Sequence, residues 1–188
     1  MANYTAIVEV GNALSERLKE GLVPEVIPGG HSIGLCSPAE KGDYSLGLHL
    51  YDIRECEDVR YHDMVHIRVS SQQFPPMLLS LYYMVTAYSD SDLKFRAAQE
   101  QRILGRVLQL FYDKPLIAAE KLGSSALGMD MRIELLNPDL DEKLRIWNMP
   151  DIPYKASLFY RVTPVELDSV RTQQITRVTQ LSFGLKEQ

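Results

Sequence analysis

A chain of 188 residues is the length of one domain and is long enough to bury a substantial core. Its hydrophobic content of 45% and charged content of 24% are those of an ordinary soluble globular protein. A net charge of −5 argues against a general nucleic-acid binder and against electrostatic docking on anionic membranes, since both present a basic face.

The opening residues, MANYTAIVEVGNALSERLKEG, lack the basic region followed by an apolar stretch that marks a secretory signal. No run approaches the roughly 18 apolar residues of a membrane span. Cys36 and Cys56 have no C-x-x-C spacing. They suit a reducing cytoplasm and are expected as thiols, with a single disulfide between them as the alternative.

In chain order, the first predicted element is a helix over residues 5–20. Ile7, Val10, Leu14 and Leu18 recur at helical spacing, and Gly21 stands where a C′ glycine belongs. Residues 22–27 are β-rich but interrupted by Pro24, which predicts an edge or irregular strand. Pro28-Gly29-Gly30 opens a loop to about Asp43. From Tyr44 to Ile53 the pattern alternates, with Tyr44, Leu46, Leu48 and Leu50 on one side, as in a half-buried strand. Residues 54–63 are charged and read as a connection. A second strand is predicted where Val65, Ile67 and Val69 alternate with His66 and Arg68.

Residues 77–88 are apolar on both sides. Met77, Leu79, Leu81, Tyr83 and Val85 form one row; Leu78, Tyr82, Met84 and Tyr88 form most of the other. That pattern predicts a central strand covered on both faces. A helix is the alternative on periodicity alone, but the tyrosines, Val85 and Thr86 favour strand. The helix over residues 92–112 shows Leu104, Val107, Leu108 and Phe111 at i, i+3, i+4, i+7, widened by Ile103 and Leu110. Gly105 in its middle predicts close approach of another backbone. Residues 116–122 read as a further helical turn or two.

Residues 129–136 alternate as a strand. Asn137-Pro138 then supplies an N-cap and first-turn proline for a short helix over 138–147, on which Leu140, Leu144 and Trp147 align. A strand is predicted over 154–162, with Ala156, Leu158, Tyr160 and Val162 on one face. The last stretch, 169–188, changes composition toward Thr, Gln and Arg. Ile175, Leu181, Phe183 and Leu185 fall at even spacings there, predicting a strand or extended arm over 173–185. The expected organisation is one α/β (α+β) domain over residues 1–168 with a mixed or antiparallel sheet around strand 77–88, and an arm over 169–188.

No constellation of residues points to a reaction. His62, Asp63 and His66 imitate a metal motif, but in a strand positions four apart lie roughly 13 Å from each other, too far to share an ion. The glycines of the segment PGGHSIGLC match neither the dinucleotide nor the phosphate-loop pattern. Ser32, Cys36 and His31 lack an evident base and orienting acid. Glu55, Glu57, Asp58 and Asp63 read as a solvated charge run, and Asp139, Asp141 and Glu142 as charges favoured at a helix N-terminus. No enzyme activity, cofactor or metal is expected.

A resemblance supplies what chemistry does not. PPMLLSLYYMVTAYS followed by EQRILGRVLQLFYDKP, together with SLGLHLYDI, MRIELL, DEKLRIW and YKASLFYRV, resembles the cap (tube-terminator) proteins of extracellular contractile injection systems. These are phage-tail-like particles of the antifeeding-prophage and virulence-cassette type. The matched stretches span residues 5–165, nearly the whole chain.

The resemblance implies a structural protein that forms a ring, hexameric by expectation, on the last ring of the inner tube. It would stop tube growth and fix the distal end of the sheath. The implied partners are the inner tube protein, the sheath protein and further copies of the chain, with no nucleic acid and no membrane. Assembly is expected in the cytoplasm, as part of a particle released extracellularly. Some family members carry a further C-terminal domain for which this chain is too short, which moves the expected sheath contact onto the arm. Ile175, Val178, Leu181 and Phe183 are then the candidates for pairing with a neighbouring strand edge, and Arg171 and Arg177 for acidic groups at its rim. The alternatives are a phage tail-terminator or neck-type protein, and a small-ligand or enzymatic module using the Gly29–Gly42 loop.

Overall fold

The computed structural model describes residues 4–57, 64–68, 71–119 and 128–174. A six-stranded sheet carries the fold, in the order β1-β2-β5-β8-β7-β6. Its strands are β1 (Ile33–Leu35), β2 (Leu46–Glu55), β5 (Met77–Ala87), β6 (Leu116–Ile117), β7 (Met131–Leu136) and β8 (Ser157–Leu167). Only β1 runs parallel to its neighbour, β2; every other pairing is antiparallel. A second sheet of β3 (Val65–Arg68), β4 (Ser71–Gln73) and β9 (Thr172–Gln174) joins the middle of the chain to the root of the arm.

The two-sided strand lies where its pattern requires. β5 sits between β2 and β8, and nearly all its residues are buried. Leu79, Leu81, Tyr83, Val85 and Ala87 face a layer formed by α1 (Ala6–Leu22) and α2 (Leu93–Asp113). Met84 faces the other side, where it packs with Phe159 and Trp147 beside α3 (Leu140–Ile146). Burying both rows is the main hydrophobic contribution of the sheet, about 1.5–3 kcal/mol for each large side chain.

The first helix runs two residues further than its pattern predicts, through Leu22, so Gly21 lies inside its last turn and is not a C′ glycine. A Cβ at Gly21 would lie 2.5 Å from Leu110 Cδ2, so the missing side chain lets α2 approach. The two helices also complete each other's C-termini, whose carbonyls have no partner within their own helix. Arg106 Nε donates to Gly21 O at 3.1 Å, and Arg17 Nη1 donates to Lys114 O at 2.7 Å. Gly105 is the opposite case: nothing lies within 4 Å of a Cβ there, so no backbone approaches it as expected.

Other boundaries depart from the sequence pattern for identifiable reasons. Residues 22–27 form a turn, not a strand, because the Val26 and Ile27 N–H groups both donate to Leu22 O, at 2.8 and 3.0 Å. That bond seats Ile27 in the core, 1% exposed. Leu116 and Ile117 pair with β7 instead of turning helically, and residues 120–122 of that predicted turn lie outside the described residues. The cap of α3 is Asp139, whose Oδ1 accepts from Glu142 N at 2.8 Å, not Asn137. Leu140 and Leu144 are 61% and 47% exposed, so of the expected α3 stripe only Trp147 is buried, with Ile146, outside that stripe, packed beside it. On α2 the fully buried positions are Ile103, Val107, Leu110 and Phe111, whereas Leu108 is 37% exposed.

β8 continues five residues past its expected end at Val162. Pro164 lies within this extension, at a register shift in the β5 ladder between the Leu79–Val165 and Leu81–Val162 pairs, where a missing N–H is tolerated. Ser80 Oγ and Thr163 Oγ1 meet there at 3.0 Å, and Cys56 Sγ lies 3.5 Å from the same hydroxyl. Cys36 and Cys56 are both thiols.

Candidate assembly surface

The expected site residues divide at Gln174. Arg171 is described; Ile175, Arg177, Val178, Leu181 and Phe183 lie outside the described residues, as does most of the predicted 173–185 strand. Its beginning is visible as β9, which pairs antiparallel with β4. Arg171 ties this root to the body. Its guanidinium stacks over the Phe74 ring at 4.0 Å, its carbonyl accepts from Phe74 N at 3.0 Å, and its own N–H donates to Ser169 Oγ at 3.1 Å. Cation–π stacking of this kind contributes about 0.5–1 kcal/mol at an exposed site. Gln73 Nε2 donates to Ser169 O beside it.

An apolar groove of about 550 Å³ opens where the C-terminal half of α2 passes the β7 edge. Phe111, Ile133 and Tyr160 form its floor, with Leu108, Pro115 and Leu135 around them. Phe111 and Tyr160 meet edge-to-face at 4.9 Å. Tyr160 is 3% exposed, yet its hydroxyl has no hydrogen-bond partner among the described residues, and burial pushes its pKa well above the ordinary phenol range. The sequence pattern hides this groove, because Leu108 sits on the helical stripe and Leu135 on the strand alternation that both predict burial.

On the opposite face lies a more polar groove of about 620 Å³, lined by His49, Tyr51, Asp52, Arg54, Tyr82, Glu142 and Arg145 among others. A bulge in β2 creates it. Leu50 pairs with Tyr83 and Asp52 with Tyr82, so Tyr51 is the extra residue. Tyr51 packs edge-on against Tyr82 and Phe159 at 6.1 and 5.9 Å, and Arg54 lies 4.9 Å over the Tyr82 ring while bonding Asp52. Burial, then Glu142 and Asp52, push the Tyr51 phenol up to about 12, and burial lowers His49. Nearby, Arg161 donates through Nε and Nη2 to Glu134 Oε2 at 3.0 and 2.7 Å.

The Gly29–Gly42 loop is stitched into the sheet, and its Gly29, His31 and Ser32 line a cavity of about 410 Å³ with Ser45 and Tyr88. β1 lies within the loop, Ser45 N donates to Ser32 O at 2.8 Å, and Cys36 N donates to Leu48 O at 3.0 Å. A Cβ at Gly34 would lie 2.5 Å from the Tyr44 ring, so that glycine serves packing. Burial raises the Cys36 thiol pKa, the wrong direction for a nucleophile. Among the described residues no group of three or more His, Cys, Asp and Glu side chains is placed to hold a metal ion. His62 and Asp63 lie outside those residues. No helix among the described residues is long and apolar enough to cross a membrane.

Comparison with solved structures finds the same architecture in two assemblies. One is the sheath/tube terminator of an extracellular contractile injection system, PVC, in its extended state, with a TM-score of 0.69 and 18% identity over 97% of this chain. The other is the tube-terminating cap of the anti-feeding prophage, with a TM-score of 0.61 and 18% identity over 95% of this chain. The chain spans 64% and 61% of those two proteins. A search of curated proteins gave no match. The family model for the Pvc16 N-terminal domain matches residues 9–180, from the first helix through both sheets, and the chain belongs to that family.

Proposed function

We propose that this chain is a structural cap of a contractile injection system, terminating the inner tube and anchoring the distal end of the sheath as a ring-shaped oligomer. The observation that carries the reading is a terminator fold over 97% of the chain. The family match over residues 9–180 agrees with it. The partners in this reading are the last ring of tube protein, the sheath protein and further copies of the chain, six to a ring. Assembly takes place in the cytoplasm, and the cap leaves the cell with the particle.

In this reading the labour is divided between the body and the arm. The described residues up to 168 supply the body, with β5 buried on both faces and therefore unavailable to partners. The arm over 169–188 and the loops around the body make the contacts. Arg171 anchors the arm root on Phe74, and Ile175, Arg177, Val178, Leu181 and Phe183 engage the neighbouring subunit or the sheath. A cap needs one surface complementary to the tube and another that offers the next ring no site, and an asymmetric layered domain supplies two such different faces.

Electron microscopy of particles assembled with and without this chain tests the reading. Uncapped particles should show tubes of uncontrolled length and frayed or contracted sheath ends. Particles with unchanged tube length and unchanged ends in its absence would contradict it.

A further inference from the structure

The apolar groove beside α2 exists because the helical layer is narrower than the sheet. Two helices, each about 10 Å across, cover about 20 Å, whereas six strands at about 4.8 Å spacing span at least about 24 Å. The shortfall falls at the β7 end. Exposed apolar side chains collect there: Tyr112 at 86%, Leu116 at 51%, Leu135 at 45% and Leu108 at 37%.

Among the described residues the backbone at this edge is open as well. β6 pairs only with Met131 and Arg132, and Pro115 O takes the Ile133 N–H at 2.7 Å. Alternate residues of a strand point their N–H and C=O to the same edge, so those of Leu135 face outward beyond the last β6 pairing. Tyr160, opposite Leu135 in the ladder, brings a buried hydroxyl without a partner among the described residues to the groove floor. An apolar floor, an open strand edge and an orphaned donor together describe an acceptor for an extended segment.

We infer that the groove takes Leu181–Leu185 of a second copy of this chain as an added strand on β7. The inference rests on the proposed assembly of copies into a ring. Leu181, Phe183 and Leu185 alternate with Ser182 and Gly184, so one side of such a strand is wholly apolar and the other small. That side meets the groove, and the backbone meets the Leu135 edge. A carbonyl of the incoming strand gives the Tyr160 hydroxyl its acceptor. Fourteen residues follow Gln174. At about 3.3 Å each they reach about 46 Å, enough to cross to a neighbouring domain. Donor and acceptor are different surfaces, so each copy gives one strand and receives one, a heterologous contact of the kind that builds a ring when the rotation between copies closes.

The test uses the full chain in analytical ultracentrifugation. Phe183→Asp and Leu135→Asp alter an arm residue and a half-exposed rim residue, so thermal unfolding should be unchanged while each weakens self-association about tenfold or more. A mixture of two differently tagged copies, one carrying Leu135→Cys and one Phe183→Cys, should form a mixed-tag disulfide on oxidation, identified by peptide mass spectrometry against the native Cys36 and Cys56. A monomeric parent chain, variants that associate as the parent does, or the absence of a mixed-tag Leu135→Cys to Phe183→Cys disulfide would each overturn the inference. Particle morphology separates this from the cap reading. Normal ends with Phe183→Asp and unchanged self-association remove the groove assignment alone. Intact links between copies, in particles whose ends do not depend on the protein, remove the cap reading alone.

Discussion

Replacing glycine by alanine at two helical positions should change stability in opposite directions. At Gly105, nothing lies within 4 Å of the added Cβ, so Gly105→Ala keeps the whole gain in helix propensity, about 0.8–1.0 kcal/mol. At Gly21, the same propensity gain meets a clash: the added Cβ would sit 2.5 and 2.8 Å from the Leu110 methyls. Leu110 is only 7% exposed and has little room to turn away. Overpacking of this kind costs about 1–3 kcal/mol, leaving Gly21→Ala about 0–2 kcal/mol less stable than the parent. The two variants should therefore differ by about 1–3 kcal/mol. Urea unfolding at equilibrium resolves that as separated midpoints with a common slope. If Gly21→Ala proved as stabilising as Gly105→Ala, the α1–α2 contact would not be the close approach described here.

Further outcomes follow from the core, the caps and the buried phenols. Leu81→Ala, at a central position with 0% exposure, should cost about 2–5 kcal/mol in the same assay. Asp139→Ala removes the acceptor for Glu142 N and should cost about 1 kcal/mol. The resulting loosening of α3 is read by fluorescence of Trp147, the single tryptophan. Burial holds the Tyr51 and Tyr88 phenols at about 12, above their ordinary 10.0, and raises Tyr83 and Tyr160 further. The unfolded chain then loses these protons first, so their contribution is complete below pH about 10 and is lost as pH rises toward 12. Tyrosinate absorbance should show these four ionising only as the protein unfolds; ionisation at the ordinary pKa in the folded state would contradict their burial.

Patterns that depend on burial alone were legible in the sequence. The two apolar rows of residues 77–88 required cover on both sides, and β5 has it. The alternation of Leu46, Leu48 and Leu50 located β2, but not the bulge at Tyr51 that builds the polar groove, because a bulge is set by the partner strand's register. Pro164 illustrates the same limit: whether a proline ends a strand depends on what lies opposite it. Gly21 reads locally as a helix stop and Gly105 as the site of a close approach, and only the position of Leu110 shows that the approach is at Gly21. The apolar groove was hidden for a related reason. Periodicity says which residues share a face, whereas the relative widths of a helical layer and a sheet decide how much of that face is covered.

The central claim concerns place: a cap occupies one end of the tube and sheath. Cryo-electron microscopy of particles carrying a tagged copy of this chain tests it most directly. The account predicts a ring of density at the end distal to the baseplate, into which the α1–α2 layer and the six-stranded sheet fit as a rigid body. A tag distributed along the particle, or located at the baseplate, would contradict it.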